Sequence, residues 1–304
     1  MAQSFDVQPV DASFGAVITG VRIPGLDQPT WQALHDAWLK YALLIFPGQF
    51  LKKDEQIAFA RRFGPLEFEM GAVSNVREDG TLRLEAEGDD VVKILKGNEG
   101  WHADSTFKPI QAKGAVFSAE VVPTVGGHTG WADMRAAYDA LDEATRARIA
   151  PLQAYHSLHY SQSRIGHRPK AGTEDYRRLG FAGDENVLRP LVKTHPDTGR
   201  KSLLIGRHAH DIPGLAPEES EGLLQELIDF ACQPPRVYHH DWRPGDVVIW
   251  DNRCLLHQAT PFDMSQPRVM WHTRIAGDPV SEAAVVSEAA VVSEAAVVSE
   301  AAVG

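Results

Sequence analysis

His102 and Asp104 stand two positions apart in the stretch Trp101-His102-Ala103-Asp104-Ser105-Thr106. On an extended segment, side chains at i and i+2 leave the same face, so an imidazole and a carboxylate project together. Two imidazoles and one carboxylate, with coordination positions left open, form the donor set of non-haem ferrous iron. The second imidazole must come from elsewhere, and His257 is the candidate, at the end of Trp250-Asp251-Asn252-Arg253-Cys254-Leu255-Leu256-His257. Eleven residues later comes Arg268, a residue type that grips a carboxylate through two parallel hydrogen bonds. A ferrous ion, a chelating keto acid and a carboxylate clamp would need these parts in one pocket. The His-x-Asp pair is weak evidence by itself, because the chain holds 13 histidines.

Other polar clusters point less sharply. His208 with His210, His239 with His240, and His156 with His159 have no acidic partner at ligand spacing, and read as polar-loop or supporting residues. Gly199-Arg200-Lys201-Ser202 echoes the end of a phosphate loop but lacks its upstream glycine. Cys254 sits in an apolar run and reads as core.

The elements that must position these groups are mostly strands. Residues 13–23 read as an opening strand, and Trp31, Leu34, Trp38 and Tyr41 recur at helical spacing behind Thr30 as N-cap. Ala42 to Phe46 is a short buried strand, and Asp54 caps a second helix that ends at Gly64-Pro65. Residues 70–90 show no periodicity and read as a long loop of the kind that forms lids. Strands are expected at 91–95, 114–122, 152–160, 188–194, 202–205, 237–240, 246–250 and 269–275, with helices at about 132–149 and 217–232. Without regular βαβ alternation, this pattern favours an antiparallel sandwich or barrel. Residues 161–187, polar and basic, read as an insertion.

The chain has 304 residues, 43% of them hydrophobic, enough for one large core with insertions or for two domains. A formal charge of −11 argues against nucleic-acid and anionic-membrane partners. Two cysteines without metal-pair spacing indicate a reducing cytosol, and neither a signal peptide nor a membrane-length apolar run is visible. A soluble cytoplasmic protein, assembled as a homo-oligomer, is expected. Ser-Glu-Ala-Ala-Val-Val repeats from Ser281, so residues 1–277 read as one domain and 278–304 as a low-complexity tail.

Longer motifs carry a resemblance. Trp-His-Ala-Asp-Ser-Thr at 101–106, Val-Pro-Thr-Val-Gly-Gly-His-Thr at 122–129, Asp-Met-Arg-Ala-Ala-Tyr at 133–138 and Gly-Asp-Val-Val-Ile-Trp-Asp-Asn-Arg-Cys-Leu-Leu-His at 245–257 occur in order. With them the chain, from about residue 6 to 277, resembles the TauD/TfdA family of iron(II)- and 2-oxoglutarate-dependent dioxygenases. Gly-Ala-Val-Phe-Ser-Ala-Glu-Val-Val-Pro at 114–123, Ser-Leu-Leu-Ile-Gly-Arg-His-Ala-His at 202–210 and Pro-Arg-Val-Met-Trp-His at 267–272 make it most similar to the branch acting on (S)-2-phenoxypropionate and phenoxyacetate herbicides.

The resemblance implies a double-stranded β-helix, or jelly roll of the cupin kind, with helices packed outside. It implies His102, Asp104 and His257 as iron ligands, with Thr129 and Arg268 on the distal carboxylate of 2-oxoglutarate. It also implies a small anionic substrate hydroxylated at its ether-bearing carbon, giving a phenol and a keto acid with succinate and carbon dioxide. Asp104 excludes the halogenating variant, which needs a small residue there. Many family members carry an arginine four residues after the clamp to meet the substrate acid, and this chain has His272 in that place. On a strand Arg268, Met270, His272 and Arg274 share a face, so either His272 or Arg274 could take that role; Lys93 and Asn98 are further candidates. The competing readings are a family member acting on a taurine-like sulfonate or alkyl sulfate, a non-catalytic small-acid-binding jelly roll, and a zinc hydrolase on the same ligands.

Overall fold

The computed structural model describes residues 4–84, 88–167 and 186–285. The chain opens with β1 (Asp6–Pro9), β2 (Ala16–Thr19), helix α1 (Gln28–Tyr41), β3 (Leu43–Phe46) and helix α2 (Lys53–Arg61). Then come β4 (Leu66–Ser74), helix α3 (Asp90–Gly97), β5 (Gly114–Val121), β6 (Thr129–Asp133) and the helices α4 (Met134–Ala140) and α5 (Glu143–Ile149). After β7 (Gln153–His156) and helix α6 (Leu158–Arg164) lie β8 (Val187–Pro190), β9 (Val192–Thr194), β10 (Lys201–Leu203) and β11 (Ala209–His210). Helix α7 (Pro217–Ala231) precedes β12 (Val237–His240), β13 (Val247–Asp251), β14 (Leu255–Ala259) and β15 (Val269–Ile275).

Seven strands form one sheet in the order β1-β2-β3-β13-β5-β15-β4, antiparallel throughout except for the β2–β3 pair. Strand alternation sorts its side chains into two layers. On β13, Val247 and Ile249 meet Leu34 and Trp38 of α1 and Phe59 of α2, whereas Val248 and Trp250 face inward. On β5, Val116 joins the helical layer while Ala115, Phe117 and Ala119 join the inner one. A three-stranded sheet, β12-β6-β14, closes the other side, and Trp131 of β6 meets Trp250 across the gap with ring centroids 5.9 Å apart. Helices α4 and α7 cover the outer face of this smaller sheet through Met134, Leu223 and Leu227. Two sheets with a shared interior and helices outside make the expected jelly roll.

Several local expectations need correction. The first helix is capped by Asp27, whose carboxylate accepts the Thr30 N–H at 2.8 Å, and Lys52 rather than Asp54 precedes α2. Residues 66–74, partly assigned to a loop, pair along β15 as β4. Residues 91–95 are helical: the Asp89 carboxylate accepts the Val91 N–H at 2.8 Å and starts α3 in a run that composition alone reads as a strand. The strand expected at 152–160 stops at His156, where Ser157 caps α6. Most of the insertion at 161–187 lies outside the described residues. Past the expected domain end at 277, residues 278–285 pack onto the body, with Glu282 buried. Among the described residues no helix is long and apolar enough to cross a membrane.

Candidate metal centre and the cavity around it

His257 lies on β14 two residues after Leu255, which packs in the inter-sheet core, so alternation turns the imidazole toward the same interior. The segment carrying His102 docks along this strand. The His102 N–H donates to the His257 carbonyl at 3.0 Å, and the His257 N–H to the His102 carbonyl at 2.7 Å. The two rings then lie 4.2 Å apart between centroids. Asn252 fixes the carboxylate: its amide oxygen accepts the Asp104 N–H at 2.7 Å, and its NH2 donates to the Asp104 and Ala112 carbonyls at 2.9 Å each. Directly after Asp104 the chain turns at Ser105, whose φ of 58° is uncommon for a residue with a side chain. Its hydroxyl is held there by Glu67 at 2.9 Å.

One ligand atom from each of His102, Asp104 and His257 lies within 4.8 Å of the others. The Gly100 carbonyl sits 2.8 Å from His102 Nδ1; because a carbonyl only accepts, that nitrogen carries the proton and Nε2 keeps its lone pair. Burial drives the His102 imidazole well below its ordinary value and His257 to about 4, so both are neutral at pH 7, the form that binds metal. Burial pushes the Asp104 carboxyl up, but the Arg274 guanidinium beside it holds it well below the usual carboxylate range. Its Oδ1 accepts from Arg274 Nη2 at 2.8 Å; its Oδ2 is buried without a hydrogen-bond partner, 3.9 Å from His257 Nε2. A buried anionic oxygen beside imidazole lone pairs is costly unless a cation fills the gap, and two nitrogens with one oxygen suit ferrous iron. The residues therefore fit the metal.

A second group, His195, Asp251 and Cys254, does not fit one. Arg253 Nε and Nη2 occupy the two Asp251 oxygens at 2.8 and 2.7 Å, and burial pushes the Cys254 thiol well above its ordinary value.

A cavity of about 200 Å³ opens onto the metal group. At one side Arg268, 4% exposed, donates from Nε and Nη2 to the Gly127 carbonyl at 3.2 and 3.1 Å. Gly127, at φ 68°, is needed here, since a Cβ would come within 3.2 Å of Arg268 Nε and 2.9 Å of the Pro123 ring. Among the described residues no carboxylate pairs with Arg268. Burial lowers it to about 10, so it remains a cation at pH 7. Thr129 lines the same cavity, and its oxygen accepts from Trp242 Nε1 at 2.9 Å, which leaves the hydroxyl hydrogen free to donate.

The four candidates for the substrate pocket separate. Lys93 is on the outward side of α3, paired with Asp90 at 2.7 Å, and does not line the cavity; the helix, where a strand was expected, takes it away. Asn98 does line it, at the end of α3, and its carbonyl accepts the Ala259 N–H at 2.7 Å. His272 stacks on Trp250 with centroids 5.8 Å apart and is lowered to about 3 by burial, so it is neutral. Arg274 is spent on Asp104, on the Ser105 hydroxyl at 3.2 Å and on Glu67 at 3.5 Å. The residue that sequence reasoning missed is Arg207. It lines the cavity, donates from Nη1 to the Gly97 carbonyl, and has Nη2 buried without a partner. No carboxylate of the described residues pairs with it, and burial lowers it to about 10, again leaving a cation. Its only signal in the sequence was membership of the 202–210 motif. Ile94, Phe107 and Leu158 add apolar wall beside it, with Gln162, and His208, which bonds Ser161 Oγ at 2.8 Å, completes that side.

Comparison with known proteins gives the family. The (S)-phenoxypropionate/alpha-ketoglutarate-dioxygenase of Sphingobium herbicidovorans is 69% identical over 285 residues, covering 94% of this chain and 99% of that protein. The protein of the same description from Delftia acidovorans is 57% identical over 292 residues, covering 94% of this chain and all of its own. A crystal structure of AAD-2 in complex with Mn(II) and N-oxalylglycine superposes with a TM-score of 0.84 at 36% identity, over 93% of this chain and 100% of that one. The family model for the taurine catabolism dioxygenase TauD, TfdA family, matches residues 6–274, and the chain belongs to that family.

Proposed function

We propose that this chain is an iron(II)- and 2-oxoglutarate-dependent dioxygenase that cleaves (S)-2-phenoxypropionate and related aryloxyalkanoates to a phenol and a keto acid, with succinate and carbon dioxide from the co-substrate. The observation that carries the reading is a single cavity in which two buried guanidiniums, Arg268 and Arg207, both without carboxylate partners among the described residues, share the wall with His102, Asp104 and His257. Each guanidinium suits one of the two organic acids the reaction needs.

In this reading His102, Asp104 and His257 hold the iron, and Arg268 with the Thr129 hydroxyl takes the distal carboxylate of 2-oxoglutarate. When bound, the iron with 2-oxoglutarate and dioxygen supplies the oxidant that hydroxylates the ether-bearing carbon. Arg207, assisted by Asn98 and Gln162, meets the substrate carboxylate, a role that the sequence offered to His272 or Arg274. Ile94, Phe107 and Leu158 receive the aromatic ring and exclude water from it. Arg274 has a positioning role: it keeps the Asp104 carboxylate ionised and turned toward the imidazoles.

The test is succinate formation with (S)-2-phenoxypropionate, a taurine-like sulfonate and an alkyl sulfate offered separately. Stimulation by the phenoxy acid above the other two is expected. Equal indifference to the phenoxy acid would remove the substrate assignment, and no visible absorption on adding iron(II) and 2-oxoglutarate without oxygen would remove the co-substrate assignment as well.

A further inference from the structure

The segment after β15 runs back into the body and is read there as a peptide. Glu282 is 1% exposed, and its carboxylate pairs with Nζ of Lys193, itself 9% exposed. The Gln111 N–H and Arg189 Nη1 both donate to the Glu282 carbonyl, at 3.0 and 3.2 Å. The Ala284 N–H donates to the Pro109 carbonyl and the Val285 N–H to the Leu188 carbonyl, each at 2.8 Å. Gly277 permits the approach, since a Cβ there would lie 1.9 Å from the Gln111 oxygen. Ser281 and Glu282 lie in a turn, and Ala283 and Val285 then bridge to Ile110 and Leu188. Main-chain pairing with a charged pocket for one side chain is how grooves recognise peptides. Arg189 also ties this groove to the metal centre. Its Nε and Nη2 donate to the Thr106 and Lys108 carbonyls in the loop that follows Asp104.

The seated residues are Ser281-Glu282-Ala283-Ala284-Val285, and the same five types recur at 287–291, 293–297 and 299–303. The groove itself is met by Glu282, Ala284 and Val285, whose types recur in every unit. The first unit is held in addition by Asp278, whose carboxylate accepts the Ser281 N–H at 2.9 Å and whose carbonyl accepts the Glu282 N–H at 3.0 Å. The later units carry the same groove-contacting types but lack this aspartate and have a longer tether. We infer that the groove formed by Pro109, Gln111, Leu188, Arg189 and Lys193 is a recognition site for the peptide Ser-Glu-Ala-Ala-Val, filled by the first unit and open to the later units of the same chain as replacements. Taking the next unit lengthens the tether by six residues, and because loop closure depends weakly on length, this lowers the effective concentration only a few-fold. The repeat is then a set of interchangeable keys that keeps the loop behind Asp104 pinned.

The experiment is hydrogen exchange at residues 108–111 in the full-length protein, comparing Glu282→Ala with the fourfold variant that adds Glu288→Ala, Glu294→Ala and Glu300→Ala. The single change should lower protection a few-fold, the fourfold change at least tens-fold, and free Ser-Glu-Ala-Ala-Val peptide should restore the fourfold variant. A fourfold variant that fails to fold while the single variant folds supports the inference equally, because the two differ only in the later units. Equal damage in both, failure of the single variant to fold, or no loss in either would overturn it. Protection in the single variant that rises with protein concentration would also overturn it, by assigning the replacement unit to a second copy of the chain.

Discussion

Asn252 joins the two distant segments of the metal centre, and Asn252→Ala isolates what that joint contributes. The side chain is 1% exposed and makes three hydrogen bonds: one from the Asp104 N–H and two to the Asp104 and Ala112 carbonyls. Alanine leaves those three backbone groups unpaired in the interior. At about 1–2 kcal/mol for each orphaned group the loss is roughly 3–6 kcal/mol, or about 6–12 °C in melting temperature at about 2 °C per kcal/mol. Because the Asp104 backbone is released as well, metal affinity should fall by about 10- to 100-fold, the usual effect of losing a group that orients a ligand. Urea denaturation of the metal-free protein measures the first quantity, and calorimetric titration with manganese(II), which avoids oxidation, the second. Asn252→Asp keeps the acceptor for the Asp104 N–H but turns a carboxylate toward two carbonyls, so it should be at least as damaging at unchanged volume. If Asn252→Ala stays within about 1 kcal/mol of the parent and binds manganese equally well, Asp104 is positioned by something else and the reasoning fails.

Further outcomes follow from the same geometry. Arg207→Met should raise KM for the phenoxy acid by about 10- to 100-fold, as expected for a charge-assisted contact, with little change in KM for 2-oxoglutarate; Lys93→Ala, paired at the surface, should change neither. Arg268→Met should do the reverse, raising KM for 2-oxoglutarate while manganese affinity without the keto acid is unaltered, and a parallel loss of metal binding would argue against a clamp role. His156 is buried with both ring nitrogens unpartnered and is lowered to about 3 by burial. The unfolded chain therefore takes up a proton below about pH 6.5 that the folded one refuses until about pH 3, so stability is present above pH 6.5 and declines as pH falls through that window. Between pH 7 and pH 5 this one group should account for about 2 kcal/mol, measured as the difference between the parent and His156→Leu in urea denaturation; identical pH slopes would show that the imidazole does not titrate as inferred.

What could be read directly from the chain was whatever depends on residue type and short spacing. Val247–Asp251 and Gly114–Val121 mark strands as short apolar runs rich in β-branched and aromatic residues that start at Gly turns, and both are buried on both faces. The His-x-Asp pair and the motif ending in His257 announce a donor set by residue type and spacing. Helix α3 escaped because Val91, Val92, Ile94 and Leu95 favour a strand by composition, and the decision came from the Asp89 cap and the burial of Val92. That one local difference moved Lys93 out of the cavity.

Charge compensation was wholly a tertiary matter. Arg207, Arg268 and Arg274 are equivalent as sequence, yet Arg274 meets Asp104 and Glu67 while the other two have no carboxylate partner among the described residues. Likewise Glu282 reads as one acidic residue of a polar repeat, and only folding brings Lys193, far upstream, against it. By itself the sequence determined the kinds of donor available, the strand-rich architecture and the family. Which guanidiniums stay available to an organic acid, and the packing of residues 278–285 onto the body, were decided by the fold, because Coulomb and hydrogen-bond energies depend on distance through space and not on separation along the chain.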